Sequence, residues 1–156
     1  MDTIATDNPL TPNETATLAV LARMLIPAST KYGVPGADDE VIFADVVATA
    51  RSHAELIKQG LQALDADSRE VHDAAFVDLT AAEQTERVDA HAETPGGFIR
   101  AIVSIVVQCY YRDGRVKESL GMEPRPPYPE GFEVAQGDWS LLAPVRDRGK
   151  VWRDAG

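Results

Sequence analysis

One cysteine, Cys109, stands alone in 156 residues, so the chain can form no internal disulfide and no zinc site made of several thiolates. Positive charge is also scarce. Against 25 Asp and Glu there are only 15 Lys and Arg, a net charge of −10. Such a chain repels phosphate backbones and anionic lipid surfaces, which argues against general nucleic-acid and membrane binding. Long apolar runs are missing too. The most apolar stretch, Phe98–Tyr111, is too short to span a bilayer and is interrupted by Arg100. The opening Met1–Leu10 carries neither a basic n-region nor an apolar h-region nor twin arginines, so the expected location is the cytoplasm.

The usual signatures of chemistry are equally thin. The sequence holds no GxGxxG and no Walker loop, so no dinucleotide or nucleotide site of those kinds is expected. His53, His72 and His91 lie at separations that match no compact metal motif, and none belongs to an HExxH helix. Asp65-Ala66-Asp67 begins like a calcium loop, but Arg69 stands at the third ligand position and Glu70 replaces the required glycine. Carboxylate pairs such as Asp38/Asp39 and Asp65/Asp67 read as helix starts or turns, where Asp is favoured for local reasons. Cys109 sits in an apolar segment and reads as a buried thiol. No catalytic, cofactor-binding or metal-binding residue is therefore assigned.

What the chain does have is apolar residues, 44% of the total, at helical spacing. Thr11-Pro12-Asn13-Glu14 supplies a cap, a proline for the first helical position and the acid of a capping box. Leu18, Leu21, Ala22 and Leu25 follow, and Pro27 ends the helix. A second helical region opens at Asp38-Asp39-Glu40 and runs through Leu64, with a break near Ser52. Asp65–Ser68 reads as a turn into a short helix ending near Phe76. Thr80-Ala81-Ala82-Glu83 repeats the capping box, and Pro95-Gly96-Gly97 closes the helix it starts. Phe98–Val107 has the β-branched content of a strand. No comparable partner strand exists, so it reads as a buried central helix ending near Tyr111. The expected fold is all-α: a flexible start over 1–10, a helical domain over 11–121 and an extended arm over 122–156.

The arm is the unusual part. Pro124, Pro126, Pro127 and Pro129 exclude regular helix and ladder structure. Yet it carries Tyr128, Phe132, Trp139 and Trp152, with Arg125, Arg146, Arg148 and Arg153 interleaved, and Tyr110-Tyr111-Arg112 precedes it. Tyr, Trp and Arg dominate interface hot spots because they join large apolar area to directed polar groups. Tyr110, Tyr111, Arg125, Tyr128, Phe132, Trp139, Arg148 and Trp152 are the expected partner-binding residues. Arg125 and Arg148 are candidates to pair with a partner's carboxylates or with this chain's own acidic helices.

Several segments resemble the gluconate 2-dehydrogenase subunit 3 family. They begin with Leu10-Thr11-Pro12-Asn13-Glu14 and Leu21-Ala22-Arg23-Met24-Leu25-Ile26-Pro27-Ala28. Gly60–Asp65, Phe76–Gln84, Tyr110-Tyr111, Leu120-Gly121 and Arg125-Pro126-Pro127-Tyr128-Pro129-Glu130-Gly131 continue the likeness, which runs roughly from Leu10 to Trp152. The resemblance implies a non-catalytic small subunit that stabilises or matures a large partner. That partner would be a flavoprotein of the glucose–methanol–choline type, holding FAD and oxidising a sugar, sugar acid or polyol. Many members of the family begin with a twin-arginine export signal. Its absence here leads to the expectation of a cytoplasmic complex, or of a periplasmic one if a signal lies upstream. Two other readings remain: a stand-alone helical adaptor or ligand-binding domain, and a small enzyme built on one of the three histidines.

Overall fold

The first helix, α1 (Pro12–Leu25), shows how local chemistry sets the architecture. Thr11 Oγ1 accepts from the Glu14 N–H at 3.3 Å, and the Glu14 carboxylate accepts from the Thr11 N–H at 2.8 Å. This reciprocal pair satisfies two donors that a helix start leaves orphaned. Glu14 is nevertheless only 5% exposed, and its second oxygen accepts from Gln62 Nε2 at 2.7 Å. The cap is thus also a tie to a helix 48 residues away.

A computed structural model describes residues 9–93, 97–150 and 152–153. Residues 1–8 and the Pro95-Gly96 part of the expected helix stop lie outside the described residues. The chain divides into two compact units, Met1–Pro124 and Arg125–Gly156. Among the described residues the first unit contains helices only, apart from an isolated antiparallel bridge between Ser29 and Val34. The all-α expectation holds. Helix α2 (Glu40–Ala50) is capped by Asp39, whose carboxylate accepts from Val41 and Ile42. A 3-10 turn, Arg51–His53, makes the break expected near Ser52, where Ser52 Oγ donates to the Thr49 carbonyl at 2.9 Å. Helix α3 (Ala54–His72) follows. Helix α4 (Ala81–Ala92) carries the second capping box, between Thr80 and Glu83. Helices α5 (Phe98–Arg112) and α6 (Gly114–Ser119) complete the unit.

The Asp65–Ser68 turn does not exist; α3 runs through it to His72. Each polar side chain that suggested a turn is satisfied without breaking the helix. Asp65 accepts from the Phe76 N–H and from Arg69 Nε, both at 3.0 Å. Ser68 Oγ donates back to the Leu64 carbonyl at 2.7 Å and is buried. Leu61, Leu64 and Ser68 share the buried face, so packing overrides local turn preference. The helix ends instead at Asp73, in the left-handed conformation (φ 54°) that Asp tolerates better than most residues. Phe76 then lies in a short 3-10 turn, Phe76–Asp78, fully buried.

Helix α5 is the centre of the unit and packs against α1, α2, α3, α4 and α6. Its Ile102, Ile105 and Val106 join Leu18, Ile42, Ile57, Leu61 and Leu64 in one core. Each fully buried side chain of this size contributes roughly 1.5–3 kcal/mol relative to exposure. The α3–α5 contact is unusually close at Gly60, where an added Cβ would lie 2.0 Å from the Phe98 ring. A glycine inside a helix ordinarily weakens it; here it makes room for an aromatic ring.

The second unit is not wholly irregular. Asp138 caps a 3-10 turn, Trp139–Leu142, by accepting from the Ser140 N–H at 2.9 Å, and helix α7 (Ala143–Asp147) continues it. Pro124, Pro126, Pro127 and Pro129, expected to exclude helix, lie outside every described helix. Pro144 falls in the first turn of α7, where its missing N–H leaves no intrahelical bond unmade.

Candidate interaction surface

Neighbours in sequence on a helix are about 100° apart, and the end of α5 shows the consequence. Tyr110 is 4% exposed, and its hydroxyl donates to the Pro35 carbonyl at 3.1 Å. Burial pushes its phenol above the ordinary tyrosine range, with Tyr111 and Asp113 adding to the effect. Tyr111, set edge-on to it at 5.3 Å, is 52% exposed. Of the tyrosine pair expected to meet a partner, Tyr110 belongs to the core and Tyr111 faces outward. Arg112 binds Asp45 of α2 through Nε at 3.0 Å and so fastens α5 to α2. Cys109 lies behind this pair, buried, with its thiol 3.4 Å from Thr49 Oγ1. Burial raises its thiol above the ordinary range, so the thiolate needed of a nucleophile is disfavoured.

The last turns of α5 and the segment just beyond it also present apolar side chains. Val107 and Tyr111 are one helical turn apart and both exposed, and Leu120 and Met122 follow. Leu120 and Met122 are not among the partner-binding residues expected from the sequence. The signal available was two large apolar residues flanking Gly121, a turn position with φ 72°.

In the arm unit, Tyr128, Phe132, Trp139 (61% exposed) and Trp152 (67%) are all left uncovered by the arm's own packing. Leu141, Leu142 and Val145 are exposed beside them. Arg125 donates to the Gly131 carbonyl at 2.7 Å, lies near Glu130 and stacks over Phe132 at 5.1 Å. It therefore closes the 125–132 loop within the arm. Arg148 lies just past α7 and is exposed. Lys150 approaches the Trp152 ring at 5.7 Å.

The histidines are held by local partners. His72 meets Glu83 at 3.5 Å, and His91 meets Asp67 at 3.4 Å and the edge of Phe98. His53 lines a groove of about 370 Å³ with Thr49, Ser52, Arg100, Ser104 and Gln108, its Nδ1 2.9 Å from Ser52 Oγ. The Ser52 hydroxyl has one proton to place between the Thr49 carbonyl and His53 Nδ1, so the imidazole tautomer sets the direction of the second bond. Among the described residues, no group of three His, Cys, Asp or Glu is placed to hold a metal ion. A larger cleft of about 500 Å³ lies between α1, α4 and α5. Leu21, Met24, Leu25, Val88, Ile99 and Ile102 give it apolar walls, with Arg23, Gln84 and Asp89 among its polar lining. It has the size of a small-molecule site but gathers no catalytic set. No described helix is long and apolar enough to cross a membrane.

Residues 12–122 match the family described as Gluconate 2-dehydrogenase subunit 3. The match covers every described α-helix of the first unit, from α1 to α6, and ends ahead of the Pro-rich arm. No curated protein and no solved structure matches the chain.

Proposed function

From the premise that this chain belongs to the gluconate 2-dehydrogenase subunit 3 family, and so to a multi-subunit complex, we propose that it is the non-catalytic small subunit of an FAD-dependent oxidoreductase. Its task in this reading is to stabilise or mature a large flavoprotein of the glucose–methanol–choline type that oxidises a sugar, sugar acid or polyol. FAD and the catalytic residues belong to that partner. The observation that carries the accessory role is the arm: four aromatic residues, two of them tryptophans, stand exposed on a unit of about thirty residues. Apolar surface of that kind is costly to leave in water and marks a binding site. The tagged full chain, purified from its native host, is expected to bring down a flavoprotein in stoichiometric amount, with a flavin absorption spectrum. Recovery of the chain alone would overturn the reading.

A second reading, a stand-alone ligand-binding domain, draws on the 500 Å³ apolar cleft. It expects the purified chain to be a well-behaved monomer whose melting temperature rises with a small apolar ligand. The subunit reading expects an aggregation-prone orphan instead.

A further inference from the structure

Charge is divided very unevenly between the two units. Residues 1–124 contain 10 Lys and Arg against 20 Asp and Glu, and so carry the whole net charge of −10. Residues 125–156 contain five of each sign. Within the arm the cations are gathered at one end: Arg146, Arg148, Lys150 and Arg153 fall in eight residues that include a single acid, Asp147. Immediately before them stand Trp139, Leu142 and Val145, spaced every three residues along the 3-10 turn and α7, where that spacing aligns side chains on one side. All three are exposed, and Trp152 lies among the cations.

We infer that the segment Trp139–Arg153 docks on the large subunit in an apolar groove rimmed by carboxylates. The apolar turn fills the groove, and the cations at the end of α7 meet the acidic rim. This rests on the small-subunit reading above and names the chemistry of the partner's face. The bland account of the cations is that Arg146 and Arg148 merely favour the carbonyl end of α7. A helix of five residues offers little dipole, and that account leaves Trp139, Leu142, Val145 and Trp152 in water. A strongly acidic chain also gains from placing its cations where an acidic partner must approach. The rest of its surface repels such a partner, so the basic end fixes the orientation of docking.

The test uses the complex purified through the tagged full chain. Recovery of a flavoprotein establishes the small-subunit reading; its absence sinks both that reading and this inference. With the complex in hand, its dissociation constant is measured across a range of NaCl concentrations. The inference expects affinity to fall steadily with salt, and the charge reversal R146E/R148E to weaken binding by about tenfold or more. The charge-keeping variant R146K/R148K should bind within a few-fold of the parent. A complex that forms, ignores salt and tolerates R146E/R148E would overturn the inference while leaving the subunit reading intact. Two controls separate other occupants. If R146E/R148E abolishes binding to phosphatidylglycerol vesicles but not to the flavoprotein, the segment serves a membrane instead. If it dissolves a dimer of the chain alone and leaves the complex untouched, the partner is a second copy.

Discussion

The helical unit and the arm treat the same residue types in opposite ways. In the first, Phe76, Phe98 and Tyr110 are buried and several arginines are drawn into pairs: Arg69 with Asp65, Arg87 with Asp67, Arg112 with Asp45, Arg115 with Asp39 and Asp113. In the second, every aromatic residue stands in the open, and Arg125 donates to the Gly131 carbonyl of its own loop. The first unit has spent these three rings on its own stability, although Tyr32 and Tyr111 stay exposed. The second does not cover its aromatic surface by its own packing. The two units should therefore respond differently to the same kind of substitution.

The largest effect is expected at Phe76. Truncation in F76A removes a fully buried ring and should cost about 3–5 kcal/mol, read as a lower midpoint in urea unfolding. The matching truncations in the arm, W139A and W152A, should leave that midpoint where it is. They should instead weaken the complex by about 2 kcal/mol each, roughly thirtyfold in dissociation constant, because exposed aromatics of this size act as hot spots. A fall in urea midpoint for W139A comparable with F76A would erase the distinction between the units.

Gly60 sharpens the comparison from inside the helical unit. Glycine to alanine within a helix is commonly stabilising by up to about 1 kcal/mol. Here the new methyl group would meet the Phe98 ring at 2.0 Å, so G60A should destabilise by about 1–3 kcal/mol. The paired variant G60A/F98L should recover part of the loss if the ring is the cause. A smaller effect belongs to T80A, which breaks one capping box and should cost about 1 kcal/mol by thermal melting.

Those caps were among the features most legible in the sequence. Thr11 with Glu14 and Thr80 with Glu83 appear in the structure as the letters suggested, because a capping box is a contact between residues three apart. The central helix was legible too, by the absence of any strand to pair with it. What was not legible lies at long range. Nothing local says that Gln62 completes the bonding of Glu14, or that Asp65 accepts from Phe76 and so lets α3 continue past an apparent turn. Likewise Tyr110 and Tyr111 are the same letter, and only the phase of α5 against Pro35 decides which one is buried. For the candidate surface, composition singled out the exposed arm, but it missed that Pro144 starts a helix and that Leu120 and Met122 lie open.

The smallest effect expected is electrostatic, and it again divides the units. Arg115 ties Asp39 of the α2 cap to Asp113 of the α6 cap, joining positions more than seventy residues apart. The Arg115 side-chain hydrogen bond is the main cause holding the Asp39 carboxyl below its ordinary range, and the same is true of Asp113. A carboxylate with a depressed folded-state pKa contributes stability that is fully present above its unfolded value and disappears as pH falls through its folded value. The melting temperature of the helical unit should therefore decline on acidification from about pH 5 downward, where unfolded carboxylates begin to take up protons. D39N keeps an amide oxygen able to cap α2 but loses the charge, so it should lower the melting temperature slightly at pH 7 and flatten part of the acid decline. Asp138 in the arm is also held low, first by the Ser140 side chain, yet it caps only a single 3-10 turn. D138N should leave the acid profile unchanged. If D39N and D138N shift that profile alike, the Arg115 bridge is not what couples α2 to α6.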